Sequence, residues 1–188
     1  MCVTGPSEWH RWFPIASSGQ RQSPIDIKTS SCQTNNKMKE VTAKYSPMSG
    51  LRLKNTGASW MLKMEEMSSI LTGGPQDCEY RVAQMHAHWG SKDGQGSEHT
   101  VDGLSYDIEL NIVHFNIKYG DLASAVDKPD GLAVLGMFLK LGEEEHQELE
   151  KICQSLEDIQ MKKDATALQD SIDPANFLPG KMNVNIPI

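Results

Sequence analysis

The segment from Tyr80 to Asn116 limits what this chain can fold into more than any other part of it. It opens as YRVAQMHAHWG, passes through SKDGQGSEHTVDG and resumes as YDIELNIVHFN. A period of two places Tyr80, Val82, Gln84, His86 and His88 on one face of the first piece and Arg81, Ala83, Met85, Ala87 and Trp89 on the other. In the second piece Asp107, Glu109, Asn111, Val113 and Phe115 oppose Ile108, Leu110, Ile112, His114 and Asn116. The glycines and aspartates in between predict a reversal of the chain. The expected product is an antiparallel pair of strands whose polar faces meet.

Around that pair the chain reads as short strands punctuated by turn chemistry. Val41 to Tyr45, Leu51 to Lys54 and Trp60 to Met64 have strand character, with SPMSG as a turn between the first two and Leu71 to Pro75 as another turn. Gly5 to Ile27 predicts an irregular arm packed on the body, and Cys32 to Met38 a surface loop. Leu132 to Leu141 is nearly continuously apolar, as in a strand buried on both faces. After it, Leu149, Ile152, Cys153, Leu156 and Ile159 recur at helical spacing behind an acidic start. NVNIPI at the end suggests a last strand whose proline limits pairing. These elements predict a predominantly β, α+β fold: a single domain over 1–188 on a large, mostly antiparallel central sheet with a few peripheral helices.

Charge narrows the partners. With a net charge of -7 and no clustered lysines or arginines, the chain is not expected to bind nucleic acid or an anionic membrane surface. No apolar run is long enough for a membrane span, and MCVTGPSEWHRWFP has neither a basic nor an apolar leader region, so a cytoplasmic setting is expected. Cys2, Cys32, Cys78 and Cys153 are scattered without a C-x-x-C pair, which suits reduced thiols.

His86 and His88 share a strand face, a common way to present two imidazoles to one metal ion, and Gln84 beside them can accept a ring N–H. The same pattern also suits two ordinary, hydrogen-bonded histidines in a polar cleft. His114 falls on the opposite face of its strand, where a packed or hydrogen-bonded role is expected. Glu143, Glu144, Glu145 and Glu148 read as a solvated helix face, and His146 among them as exposed.

Six blocks, GPSEWHRWFPIA, GQRQSPIDI, LTGGPQDCEYR, QMHAHWGSKDGQGSEHTVDG, YDIELNIVHFN and PDGLAVLGMFLKLG, resemble those of the cytosolic-type α-carbonic anhydrases, in the same order, from about Gly5 to Pro179. The resemblance implies that family's fold and its reaction, the reversible hydration of carbon dioxide to bicarbonate by zinc hydroxide. It also implies Zn2+ as cofactor, with His86 and His88 as metal ligands and Gln84 and Glu109 as the groups orienting ligands. Glu98 takes the place of a glutamate that orients a threonine, and Val113, Leu132 and Val134 that of an apolar substrate wall.

Three departures from the family pattern bear on activity. The third zinc histidine is replaced by Asn111, whose amide oxygen branches from the same carbon as the family's ligating ring nitrogen but is a weaker donor, so zinc affinity is expected to fall. Ala58 stands where the family has a proton-shuttling histidine and can carry no proton. The family's threonine loop and last strands have no counterpart after FLPGK, so the domain is expected to be incomplete at the C-terminus. The resemblance therefore implies an impaired or inactive carbonic anhydrase. The alternatives are a non-catalytic carbonic anhydrase-related scaffold for a protein partner of unknown identity, or a fragment without function of its own.

Overall fold

A computed structural model describes residues 5–48, 51–64, 68–75, 77–161 and 164–178. The described strands are β1 (Asp26–Ile27), β2 (Lys39–Lys44), β3 (Arg52–Asn55), β4 (Trp60–Lys63), β5 (Ile70–Gly74), β6 (Tyr80–Trp89), β7 (Thr100–Val101), β8 (Ile108–Asn116), β9 (Leu132–Leu139) and β10 (Ala165–Ala167). Helices α1 (Ile15–Ser18), α2 (Leu122–Ala125) and α3 (Gln147–Leu156) lie between them, with short 3-10 turns. Eight strands form one antiparallel sheet and β1 pairs β7 in parallel. The predicted predominantly β architecture is what the chain adopts.

β6 is the hub of the large sheet. One of its edges is shared, with β5 pairing Tyr80 and Arg81 and β4 pairing Gln84, Met85 and His86; the other edge carries β8 along its whole length. The reversal between β6 and β8 and the meeting of their polar faces are as the alternation predicts. His86 stands opposite Asn111, and His88 opposite Glu109.

The alternation is broken once. Pairing skips between Val82 and Gln84, a β-bulge, so Val82 joins Met85 and Ala87 in the main core instead of sharing the face of the histidines. That core lies on one side of the sheet, where Leu53, Leu62, Met85, Leu110 and Ile112 pack with Ile152 of α3. α3 buries the predicted apolar stripe, except that Cys153 is exposed. Its N-terminus is capped by His146, whose Nδ1 accepts from the Leu149 amide at 3.4 Å and whose ring stacks on Phe177. His146 is therefore half-buried and structural, not exposed.

Four further expectations are corrected. Leu71 to Gly74 is not a turn but most of β5, paired with β2; both glycines have positive φ, and only Pro75 turns the chain. β9 is not buried on both faces: among the described residues it pairs only with β8, and Leu132 and Val134 are 36% and 50% exposed. Its apolar composition reflects one covered face and one open one. Glu148 is not solvated but 6% exposed, accepting from Lys151 Nζ at 2.9 Å, the Asp173 amide at 3.1 Å and Asn176 Nδ2 at 3.1 Å. The N-terminal arm is tied to the body through β1 pairing with β7 and through Ser23 to His99, while the side chains of Trp9, Trp12 and Phe13 remain half or more exposed.

Ser49 and Gly50 of the expected SPMSG turn, NVNIPI and Cys2 lie outside the described residues. Cys32, Cys78 and Cys153 are free thiols. No described helix is long and apolar enough to cross a membrane.

Candidate metal centre

On the face of the sheet away from α3, β6 and β8 bring Gln84, His86, His88, Glu109 and Asn111 into one cleft. Each is placed by strand period and register: alternate positions share the face, and antiparallel pairing sets the two rows side by side. The rings of His86 and His88 meet edge to face, their centroids 5.0 Å apart at 81°. His86 Nδ1 lies 3.0 Å from Gln84 Oε1, which can only accept, so the proton resides on Nδ1 and Nε2 presents its lone pair. Burial, and then the neighbouring His88, hold the His86 ring below the usual histidine range, which favours the neutral form a metal needs.

Glu109 anchors the other row. It is 1% exposed, and burial by itself would raise its pKa. The backbone and ring N–H groups of His99 outweigh that burial and keep the carboxyl below the usual glutamate range. Oε1 accepts from His99 Nδ1 at 2.8 Å and from Asn111 Nδ2 at 3.4 Å, while Oε2 accepts from the amides of Glu98 and His99 at 3.0 and 2.8 Å. Because Nδ1 of His99 donates to the carboxylate, its Nε2 accepts from Ser23 Oγ at 3.0 Å and ties the arm to the cleft. His99 thus serves Glu109 through both its ring and its backbone.

Glu98 itself is exposed, and its Oε2 stands 3.3 Å from His88 Nε2. Asn111 is 8% exposed and turns its amide nitrogen to Glu109. His114 projects to the far side of β8, 0% exposed, with Nδ1 donating to the Ala133 carbonyl at 3.3 Å and Nε2 accepting from the Tyr45 hydroxyl at 2.7 Å. That is the packed, hydrogen-bonded role its strand parity predicts.

The sequence profile of the eukaryotic-type carbonic anhydrases matches residues 4–185. The chain belongs to the carbonic anhydrase family. Its family reaction is zinc-dependent, with carbon dioxide and bicarbonate as substrates. In this chain the donor chemistry fits zinc in part: the His86 imidazole has its Nε2 lone pair left open by Gln84, His88 stands beside it, and Asn111 carries an amide oxygen where a third imidazole would add a nitrogen. Among the described residues no three His, Cys, Asp or Glu side chains stand close enough together to hold a metal ion as they are.

Of the apolar wall residues, Leu132 and Val134 line an open cavity of about 320 Å³ together with Val41, Leu71, Tyr80 and Arg21. Val113, paired with Val134 on one side and Gln84 on the other, is buried. Ala58 lies in the exposed turn between β3 and β4. Sequence reasoning missed the Ser23–His99–Glu109 relay and the contact of Glu98 with His88, because both join segments whose approach no local pattern encodes.

Proposed function

We propose that this chain is a zinc-binding carbonic anhydrase-family protein whose hydration of carbon dioxide is severely impaired or absent. Asn111 carries the reading. It occupies the position directly across from His86, hydrogen-bonded to Glu109, where an imidazole would give zinc its third nitrogen.

In this reading His86 and His88 hold the ion, Gln84 fixes the His86 tautomer, and Glu109 orients Asn111 as a weak third donor. A bound zinc supplies a Lewis acid that makes hydroxide available near neutral pH. Val113, Leu132 and Val134 offer carbon dioxide an apolar surface. Ala58 can neither accept nor release a proton, so each turnover depends on buffer to carry protons away. The domain takes up the whole chain, and the setting is cytoplasmic.

The second reading is a non-catalytic scaffold that binds a protein partner. The exposed side chains of Trp9, Trp12 and Phe13, at 51%, 68% and 65%, favour it, since aromatic residues are enriched at interface hot spots.

Zinc stoichiometry and carbon dioxide hydration, measured on the same folded sample, test the proposal. About one zinc per chain with feeble hydration is expected. Turnover at the level of efficient enzymes overturns the impairment, and a folded chain that takes no zinc favours the scaffold.

A further inference from the structure

We propose that Glu98, and not Asn111, completes the metal site, giving a two-histidine, one-carboxylate centre of His86, His88 and Glu98. The inference rests on the zinc-binding reading above and changes the identity of the third ligand.

The spacing of donors motivates it. Oε2 of Glu98 lies 3.3 Å from His88 Nε2, which is longer than a charge-assisted hydrogen bond. Two donors bound at ordinary zinc distances on neighbouring corners of a tetrahedron stand roughly 3.3–3.4 Å apart. The rings of His86 and His88 satisfy the same construction. Two imidazoles bound to one tetrahedral zinc through Nε2 place their centroids about 5.2 Å apart, against the 5.0 Å found. With Nδ1 of His86 engaged by Gln84, the nitrogen left for an ion on that ring is Nε2.

Asn111 is arranged less favourably. Its Nδ2 faces Glu109, and its Oδ1 lies 3.1 Å from where a Cβ on Gly136 would sit. Gly136 is its partner on β9, whereas His86 is its partner on β6, so the amide oxygen leans over the strand away from the histidines. Glu98 has its backbone fixed by the amide hydrogen bond to Glu109, the residue across from His88, while its side chain is 47% exposed. Because the three groups do not stand close enough together as they are, closing the site requires the Glu98 side chain to turn toward the two histidines. Two histidines and a glutamate are also a donor set that catalytic zinc uses. The carboxylate further offsets charge that a neutral amide leaves uncompensated.

The experiment titrates the full chain with zinc alone against a chromogenic chelator, comparing the unaltered protein with Glu98→Gln and Asn111→Leu, each verified as folded by circular dichroism. Glu98→Gln is expected to weaken binding by at least about tenfold, the scale already reached by losing a group outside the ligand set, and Asn111→Leu by less. Glu98→Ala supplies a second readout, because added acetate restores affinity there if a carboxylate was the ligand. Unchanged affinity in Glu98→Gln, or a loss in Asn111→Leu equal to or larger than that in Glu98→Gln, overturns the inference and leaves the zinc-binding reading standing. An unaltered chain that binds no zinc overturns that reading itself.

Discussion

Glu109 and His99 are joined twice, the carboxylate accepting from the ring Nδ1 at 2.8 Å and from the backbone amide at 2.8 Å. With the Glu98 amide and Asn111 Nδ2 added, four donors converge on one buried carboxylate. In Glu109→Gln an NH2 group is turned against donors that have no other acceptor. The loss is expected to be about 3 kcal/mol, in the range for breaking a buried charged pair. Urea unfolding of the two proteins measures it, and a difference below about 0.5 kcal/mol, the scatter of surface substitutions, contradicts the prediction.

Asn111→His restores an imidazole across from His86, and zinc binding is expected to tighten by at least about tenfold. Full turnover should not return with it, because Ala58 still carries no proton. Asn111→His with Ala58→His should then hydrate carbon dioxide faster than Asn111→His alone, with the gain largest in dilute buffer. Stopped-flow hydration at two imidazole concentrations makes the comparison; equal rates in dilute buffer count against Ala58 as the missing shuttle.

His114 sets an acid limit on stability. Burial lowers its pKa from 6.5 to about 4, although the Ala133 carbonyl works in the opposite direction. The unfolded chain therefore binds a proton at this residue between those two values while the folded chain does not. Stability is fully present above about pH 6.5, falls as pH drops toward about 4, and loses no more from this residue below that. The depth is no more than about 3 kcal/mol. Urea midpoints across that window should slope less in His114→Phe than in the unaltered protein, and parallel slopes would argue against the assignment.

Glu148 fastens α3 to the segment containing Asp173 and Asn176. Glu148→Ala leaves Lys151 and two further donors short of an acceptor, at an expected loss of about 2–3 kcal/mol. Glu145→Ala, at an exposed neighbour, should change stability by less than about 0.5 kcal/mol. Thermal melts of the two variants discriminate, and similar midpoints would mean that the Glu148 contacts contribute nothing net.

What could be read in the sequence followed from periodicity. Alternation in YRVAQMHAHW and YDIELNIVHFN predicted the pairing, the polar cleft and the opposite placement of His114. The bulge at Val82 and Gln84 carries no glycine or proline to announce it. Gly73 and Gly74 suggested a turn because their positive φ is turn chemistry, yet they end a paired strand. For LAVLGMFL, apolar composition records a tendency to be covered, not whether a neighbouring strand lies alongside. Glu148 looked like its acidic neighbours, and only the return of residues 173–176 to α3 tells it apart. The contact of Glu98 with His88 depends on the path of a loop, which no short-range pattern specifies.

The shared edge of β6, held by β4 and β5 on one side and β8 on the other, has a consequence for chelation. His86 grows from a backbone paired along both edges and His88 from one paired with β8, so their convergence is settled when the sheet forms and not when an ion arrives. A flexible peptide bearing the same H-x-H would have to give up conformational freedom at the moment of capture. Exchanging the third ligand therefore subtracts one coordinate bond while leaving the preorganisation of the other two intact, and a cleft of this kind can change its third donor without first rebuilding its fold.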